Sequence, residues 1–440
     1  MSNFECSKGT GRDLSYAETL VYLYDRLPVF HHVGGAAYKP GLGNTIRLMD
    51  ALKNPQLRYR TIHIAGTNGK GSVSHLLASI LQKAGYKVGL YTSPHLVDFG
   101  ERIRVNGEMI DQQYVVDFVA KQQALISAVE PSFFEATMAM AFEYFAYCEV
   151  DVAIIEVGLG GRLDSTNIIL PILSVITNIG LDHVGFLGDT LDKIAFEKAG
   201  VIKHNTPVVI GESIRETRSV FIDKAKKESA PIYFAEEIYE FVFNSYEQGK
   251  MWVSSSSNYD FKIGLCGHYQ LKNIATVLAS IDQLRNLNFD ISDAALRNGL
   301  ELVTETTGLK GRWQVLQQTP LVVADTGHNV DGIRMVVNQL SLQKYRTLRI
   351  VIGMVSDKDI SSVLKLLPQN AIYYFTQAAI PRAIPAKELM EKAVTFGLKG
   401  EVVPTVLQAL ALALEESAED DFVFIGGSNF VVGEALPLFD

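Results

Sequence analysis

Apolar positions along this chain switch between two periods, and the switches mark a succession of strand, turn and helix. The run Thr61-Ile62-His63-Ile64-Ala65 is short and apolar, and it stops at Gly66. From Val73 the apolar residues fall at Val73, Leu76, Leu77, Ile80, Leu81 and Ala84, the 3.6-residue period of an amphipathic helix. Gly85 stands where a C′ glycine would end that helix. The intervening Gly66-Thr67-Asn68-Gly69-Lys70-Gly71-Ser72 therefore joins a strand end to a helix N-terminus. Such a junction points free N–H groups and the positive end of a helix dipole at one spot, a cradle for phosphate. Lys70 adds a mobile positive charge, and Ser72 offers a hydroxyl to Mg²⁺. The stretch departs from the G-x-x-x-x-G-K-[ST] spacing: position 64 is Ile64, and Gly71 separates Lys70 from Ser72.

Upstream, residues 1–12 are polar and read as loose, and Tyr16 to Leu27 reads as a helix ended by Pro28. His31-His32 opens a glycine-rich loop from Gly34-Gly35 to Gly43; adjacent histidines on a loop rarely chelate one ion, so no metal is assigned there. Asn44 or Thr45 is expected to cap a helix from Ile46 to Leu52. Downstream, Lys87 to Thr92 predicts a strand ending at Ser93-Pro94-His95-Leu96, and Asn106-Gly107 signals a type I′ hairpin. Helices are expected near 111–129 and 133–148.

Val152-Ala153-Ile154-Ile155 is a buried-strand run closed by Glu156. A carboxylate at the end of a parallel strand beside a phosphate loop suits a Walker-B-type metal ligand, although Glu156 taken alone would read as salt-bridged and structural. A second glycine-rich loop, Gly158 to Asn167, follows. The strand Ile172 to Thr177 leads to Asp182-His183, so His183 also stands just past a strand end and reads as a ligand. A helix from Leu191 to Ala199, a strand from Thr206 to Ile210, an antiparallel patch over 238–265, and helices to about Leu287 and over 291–302 complete the first part. Glu305 to Gly311 is short and polar, and the division 1–306 and 307–440 is placed there. Beyond it, strands near 321–325, 347–352, 372–376 and 421–426 alternate with helices, a second and smaller doubly wound sheet.

The 440 residues exceed one ordinary core. A net charge of −9 argues against a general nucleic-acid or anionic-membrane binder. Cys6, Cys148 and Cys266 are too sparse for a metal or redox pair and suit a reducing cytosol. No apolar run reaches membrane-span length, and Met-Ser-Asn-Phe-Glu carries no signal-peptide pattern, so a cytoplasmic protein with no membrane partner is expected.

Several motifs together resemble the folylpolyglutamate synthase/dihydrofolate synthase family, a folate branch of the Mur ligase superfamily. They are Gly66 to Ser72, Ser93-Pro94-His95-Leu96, Phe134-Glu135-x-Thr137, Gly160-Gly161-Arg162-Leu163-Asp164, Glu197-Lys198-Ala199-Gly200, His268-x-Gln270-x-x-Asn273, Gly311-Arg312-Trp313 and Asp325-x-x-His328-Asn329. Two departures stand out: Thr326 within Asp325 to Asn329, and Asn429 where an apolar residue is usual. The resemblance implies an α/β protein, a large Mur-ligase-like P-loop domain followed by a smaller Rossmann-like domain. It implies ATP on Gly66, Thr67, Asn68, Gly69, Lys70, Gly71 and Ser72, with Asn273 at the adenine and Arg312 and Asp325 closing from the second domain. Mg²⁺ would lie on Ser93, Glu156 and His183, and K⁺ or another monovalent cation is a further ion it allows. Lys198 would be carbamoylated, whereas the residues alone read as a solvated lysine late in a helix. The pterin side would be lined by Leu42, Gly43, Phe134, Glu135, Ala136, Thr137, Leu163, Asp164 and Ser165. Asp164 has a competing role as the cap before Thr166.

The chemistry expected is amide ligation. ATP converts a carboxylate to an acyl phosphate, and the amine of glutamate then attacks. Lys70, Lys198, Asp325 and His328 are the expected catalytic groups, His328 as the residue that orients or deprotonates the amine. The expected partners are dihydropteroate, tetrahydrofolate and L-glutamate, and the expected state is a monomer. A Mur-type ligase for a cell-wall precursor and a P-loop phosphotransferase or nucleotide switch are the other readings.

Overall fold

The computed structural model describes residues 14–28, 41–255, 260–356 and 358–439. The readings of residues 1–12, of His31-His32 and of Gly34-Gly35 lie outside the described residues.

Eight strands make the first sheet: β1 (Arg60–Ala65), β2 (Val88–Tyr91), β3 (Ile103–Val105), β4 (Glu108–Met109), β5 (Val152–Glu156), β6 (Leu173–Ile176), β7 (Val208–Ile210) and β8 (Ile232–Phe234). Their order is β4-β3-β2-β5-β1-β6-β7-β8. From β2 to β8 neighbours run parallel, while the β3–β4 hairpin adds antiparallel strands at one edge. Asn106 (φ 50°) and Gly107 (φ 83°) make the hairpin turn, as the Asn-Gly pair predicts.

Strand alternation sorts the core into two layers. Ile62, Ile64 and Ile154 pack with the helix Lys70–Lys83 and the helix Gln270–Asn286. Ala153 and Ile155 pack on the opposite face with the helices Gln112–Val129 and Phe133–Tyr147. The expected antiparallel patch is β9 (Phe241–Glu247), β10 (Lys250–Ser255) and β11 (Asp260–Ile263); its Met251, Val253 and Ile263 join the first layer.

The helix Val303–Thr307 and the turn at Gly308 (φ 66°) lead to the second sheet. It contains β12 (Gln314–Gln318), β13 (Leu321–Ala324), β14 (Leu348–Ile352), β15 (Ile372–Phe375), β16 (Lys399–Val402) and β17 (Phe422–Gly426), in the order β12-β13-β17-β14-β15-β16. All but β12 are parallel, with helices on both faces.

Three local expectations change. The helix read as Ile46 to Leu52 is Gly43–Ala51, with Leu42 at its N-cap and no side-chain cap. Thr45 instead turns its hydroxyl to Glu135 Oε1 at 3.4 Å. The polar segment from Glu305 begins inside a helix, because Thr307 anchors it by accepting from or donating to His75 Nδ1 at 2.8 Å. Strands β12 and β16 escape the apolar pattern because they are edges; β16 is exposed throughout and exists through its pairing with β15.

Candidate active site

The C-terminal ends of adjacent strands β2, β5, β1 and β6 deliver Ser93, the Gly158 loop, the phosphate-type loop and the Asn178–His183 segment to one edge of the first sheet. In open α/β sheets this edge is where ligands bind. The C-terminal ends of β13, β14, β15 and β17 deliver Asp325 to His328, Lys358, Arg382 and Ser428 to Phe430 opposite them. All line one cleft with a cavity of about 390 Å³, within the size range of small-molecule sites.

Gly66, Thr67, Asn68, Gly69, Lys70, Gly71, Ser72, Ser93, Phe134, Glu156, Leu163, Asp164, Ser165, His183, Lys198, Asn273, Arg312, Asp325 and His328 all line this cleft. Leu42, Gly43, Glu135, Ala136 and Thr137 are not among the described residues that line it. Leu42 and Gly43 start a helix. Successive helix residues turn by about 100°, so the helix Phe133–Tyr147 presents Phe133 and Phe134 to the cleft and sends the next three inward. Glu135 closes a capping box, accepting the Ser132 N–H at 2.7 Å, and Thr137 donates to Phe134 O at 3.1 Å.

The phosphate-type loop is held from β6. Thr67 N–H donates to Asn178 O (3.0 Å), Asn68 N–H to Asn178 Oδ1 (2.9 Å), and Thr177 Oγ1 to Asn68 O (2.5 Å). Close approach requires glycine at two places: a Cβ at Gly66 would overlap Thr177 Oγ1, and one at Gly69 would overlap Asn273 Oδ1. Gly69, at φ 85°, is the N-cap of the helix Lys70–Lys83 and supplies no side-chain cap, which leaves the first-turn N–H groups for an anion. Lys70 Nζ folds over the loop and donates to Gly66 O (3.1 Å) and Thr67 O (3.3 Å). Ser72 is buried and accepts from Gln270 Nε2 at 3.1 Å, so its hydroxyl is tied to the helix Gln270–Asn286. Gln270 Oε1 in turn orients Asn273 Nδ2 at 2.7 Å.

Glu156 is buried, and its Oε2 accepts the Ser93 N–H at 3.2 Å. Burial pushes its carboxyl up, opposed first by Lys70 and then by that N–H, Arg312 and Arg102. Among the described residues no three His, Cys, Asp or Glu side chains form a ready metal cage. Mg²⁺ does not require one, because it retains waters and takes one or two protein oxygens beside substrate phosphates. The Glu156 carboxylate with Ser93 beside it fits that demand. His183 lines the same cleft with its Nε2 3.9 Å from Asp182 Oδ2.

Asp164 realises its capping alternative. Oδ2 accepts Leu159 N–H (2.8 Å), and Oδ1 accepts Thr166 N–H (3.0 Å) and the Thr166 hydroxyl (2.5 Å). The reading of Lys198 as a solvated lysine is overturned: it is buried, and Nζ donates to Gly66 O at 2.8 Å. The β1 end and the helix Leu191–Ala199 enclose it together. Burial, then the nearby Lys70 charge, lowers its pKa to about 7, against the pull of Asp182 and Asp164.

The two sheets meet through polar contacts. Asn68 and Asn329 exchange side-chain amide hydrogen bonds at 3.2 and 3.0 Å. Asp182 accepts from Lys358 Nζ at 2.6 Å and from Asn329 Nδ2 at 3.2 Å. His328 Nδ1 donates to Thr326 O at 2.9 Å, which leaves Nε2 as the acceptor, 3.8 Å from Asp182 Oδ2. Burial, then Lys358, lowers its pKa to about 4, so the ring is neutral at pH 7. Asp325 accepts from Tyr269 Oη (2.5 Å), Trp313 N–H (2.8 Å) and Gly327 N–H (2.7 Å), and thereby fixes the wall that carries Arg312. Arg312 donates to Gly311 O at 3.2 Å and to Thr326 Oγ1, and its Nη2 lies against Gly71. Sequence reasoning missed Lys358 and Arg382. They lie well along the loops that follow β14 (ending at Ile352) and β15 (ending at Phe375), too far from the strand ends for the signal that singled out Glu156.

The chain matches the Mur ligase middle domain over residues 64–281 and the Mur ligase, glutamate ligase domain over residues 311–429. It is 36% identical over 372 residues to the dihydrofolate synthase/folylpolyglutamate synthase of Bacillus subtilis (strain 168), which covers 80% of this chain and 84% of that one. Its fold is similar to that of E. coli FolC in complex with DHPP and ADP, with a TM-score of 0.83, 30% identity and 97% of both chains covered. It is also similar to a bifunctional folylpolyglutamate synthase/dihydrofolate synthase with Mn, AMPPNP and L-glutamate bound, with a TM-score of 0.81, 30% identity, and 97% of this chain and 98% of that chain covered.

Proposed function

This chain belongs to the dihydrofolate synthase/folylpolyglutamate synthase family of Mur ligases, and we propose that it uses ATP to join L-glutamate to dihydropteroate and to tetrahydrofolate. The observation that carries this is the meeting of Arg312 with the Lys70 loop in a cleft that Phe133 and Phe134 also line. The loop and Arg312 suit a nucleotide, and the two rings suit a flat aromatic acid.

A carboxylate oxygen of the acceptor attacks the γ-phosphorus of ATP, and ADP leaves. The glutamate nitrogen then attacks the acyl carbon of the resulting acyl phosphate, phosphate leaves, and the nitrogen loses a proton. Lys70, the free N–H groups at Gly69 and Arg312 receive the phosphate charge, and Asn273 lies toward the base. Mg²⁺, when bound, neutralises phosphate charge and aligns the transferring group; Glu156 and Ser93 would hold it, with His183 as a third donor. Lys198, with a large neutral fraction near pH 7, can add carbon dioxide at the neutral Nζ with loss of one proton, which turns a neutral amine into an anionic carbamate beside the loop. The neutral His328 Nε2 can accept a hydrogen bond or the proton of the incoming amine. Asp325 acts by holding Arg312, and Asp164 by shaping the loop that carries Leu163 and Ser165.

The units 1–306 and 307–440 act as the two jaws of the site. One copy contains every residue invoked, so a monomer suffices. A cytoplasmic setting is supported by the free thiols Cys148 and Cys266, and no helix among the described residues is long and apolar enough to cross a membrane. The test is a substrate panel of ATP, Mg²⁺ and glutamate with dihydropteroate, tetrahydrofolate or a cell-wall nucleotide peptide. Glutamate-dependent ADP release is expected with both pteridines. Release with the cell-wall compound alone, or without any amine, would reject the reading.

A further inference from the structure

β1 is apolar from Ile62 to Ala65 except at His63, whose side chain is fully buried. His63 pairs with Ile155 of β5 on one side and Ser174 of β6 on the other, on the strand that ends in the phosphate-type loop. Its Nε2 lies 2.9 Å from Thr166 Oγ1. Both oxygens of Asp164 already accept backbone N–H groups, so the Thr166 hydroxyl is the donor to Oδ1. That hydroxyl has one proton, so Nε2–H of His63 is the donor to Thr166. Burial, then the Lys203 charge, lowers the imidazole pKa to about 3, so the ring is neutral and Nδ1 carries no proton. Nδ1 is buried with no hydrogen-bond partner among the described residues. A buried nitrogen left unpaired costs stability, so the fold by itself favours an apolar side chain here.

We propose that His63 is a positioning residue for the acid-binding part of the cleft: through Thr166 and Asp164 it sets the loop that carries Leu163 and Ser165 in register with the phosphate loop at the end of its own strand. Donation runs one way, from His63 Nε2–H to Thr166 Oγ1 and from the Thr166 hydroxyl to Asp164 Oδ1, while Asp164 Oδ2 holds Leu159 N–H. Leu159, Leu163, Asp164 and Ser165 line the same cleft as Gly66 to Ser72. Transfer of a phosphoryl group to an acid needs the two reactants held in near-attack alignment, so a shift of this loop is felt as a misplaced acid. The other end of the loop is held separately, with Arg162 N–H donating to Glu197 O at 2.7 Å and Asn167 Nδ2 to Gly200 O at 3.2 Å. Loss of the imidazole therefore loosens one end of the loop and spares the fold. The inference rests on the reading of this cleft as the site of a pteridine acid.

The test is steady-state kinetics of the full chain with dihydropteroate, glutamate and ATP, in wild type, His63→Leu, His63→Asn and His63→Gln. The amide nitrogen of Gln reaches the place of the imidazole Nε2, whereas that of Asn reaches only the place of Nδ1. His63→Leu and His63→Asn should raise KM for dihydropteroate about tenfold, the usual worth of one hydrogen bond. KM for ATP should stay within about twofold in the same variants, since the phosphate loop keeps its own contacts. His63→Gln should recover most of the lost affinity for dihydropteroate. If His63→Leu does not fold, Thr166→Val breaks the same link from its other end and should give the same rise in KM; failure of both to fold makes the link structural and overturns the proposal. An unchanged KM for dihydropteroate in His63→Leu, an equal rise in KM for ATP, or a Gln variant no better than the Leu variant also overturns it, and each leaves the proposed function standing. Wild type with no dihydropteroate turnover rejects both.

Discussion

Asp182→Asn should disable the enzyme by loosening the meeting of the two sheets, and a second substitution should partly repair it. Asp182 and Lys358 lie 2.6 Å apart with side chains only 12% and 9% exposed. Breaking a buried pair by removing one partner costs about 3–5 kcal/mol, because a desolvated charge is left behind. Asp182 comes from the first half of the chain and Lys358 from the second, so the cost falls on the closed arrangement and spares each core. A loss of about 3 kcal/mol corresponds to roughly 10²-fold in kcat/KM for glutamate. Lys358→Met should cost less than this, since Asp182 keeps the hydrogen bond from Asn329 Nδ2 at 3.2 Å. In Asp182→Asn with Lys358→Met no bare ammonium remains, so the double variant should recover part of the loss, with a coupling of about 2 kcal/mol. The assay is a double-mutant cycle on kcat/KM for glutamate at saturating ATP and pteridine. Additivity within about 0.5 kcal/mol would refute the reasoning and reduce the pair to independent surface contacts.

Other outcomes follow from the same geometry. Lys70→Ala should lower turnover by roughly 10²–10³ with little change in melting temperature, since the lysine donates only to carbonyls of its own loop and its charge is needed by phosphate; near-normal turnover at saturating ATP would reject the phosphate-loop role. Glu156→Gln should raise the Mg²⁺ concentration for half-maximal rate, because an amide is a poorer ligand for a hard cation, and a Mg²⁺ titration reads this directly. Lys198 titrates near 7 when folded and near 10.5 when unfolded, so between those values the unfolded chain binds the extra proton and stability rises with pH. Lys198→Met should therefore raise the melting temperature at pH 6, with an advantage that fades toward pH 10, while turnover is lost; an advantage independent of pH would contradict the buried-lysine account.

The repeating strand-and-helix pattern, the glycine-rich loop before Val73 and the Asn106-Gly107 turn were all legible in the chain, because each depends on neighbours within one or two turns of backbone. The hydrophobic period marks which face is buried, and glycine marks where φ must be positive or a neighbour too close. Glu156 and His183, which both line the cleft, could be singled out from strand ends read together with the glycine-rich loop. What needed the tertiary structure was everything set by sheet order. β5 inserts between β1 and β2, which brings Ser93, Glu156 and the Lys70 loop to one edge although they are far apart in sequence. Lys198 looks like a surface lysine in its helix and becomes a buried, half-neutral amine only because the β1 end packs over it. Glu135 reads as a site residue by its motif, and only the structure shows its carboxylate closing a capping box with Ser132. Asp182 and Lys358 carry no local signal as a pair, since their contact exists only where two separately folded sheets close on each other. Local physics writes periodicity and turns into the sequence, whereas the pairing of distant loops depends on the order in which strands assemble.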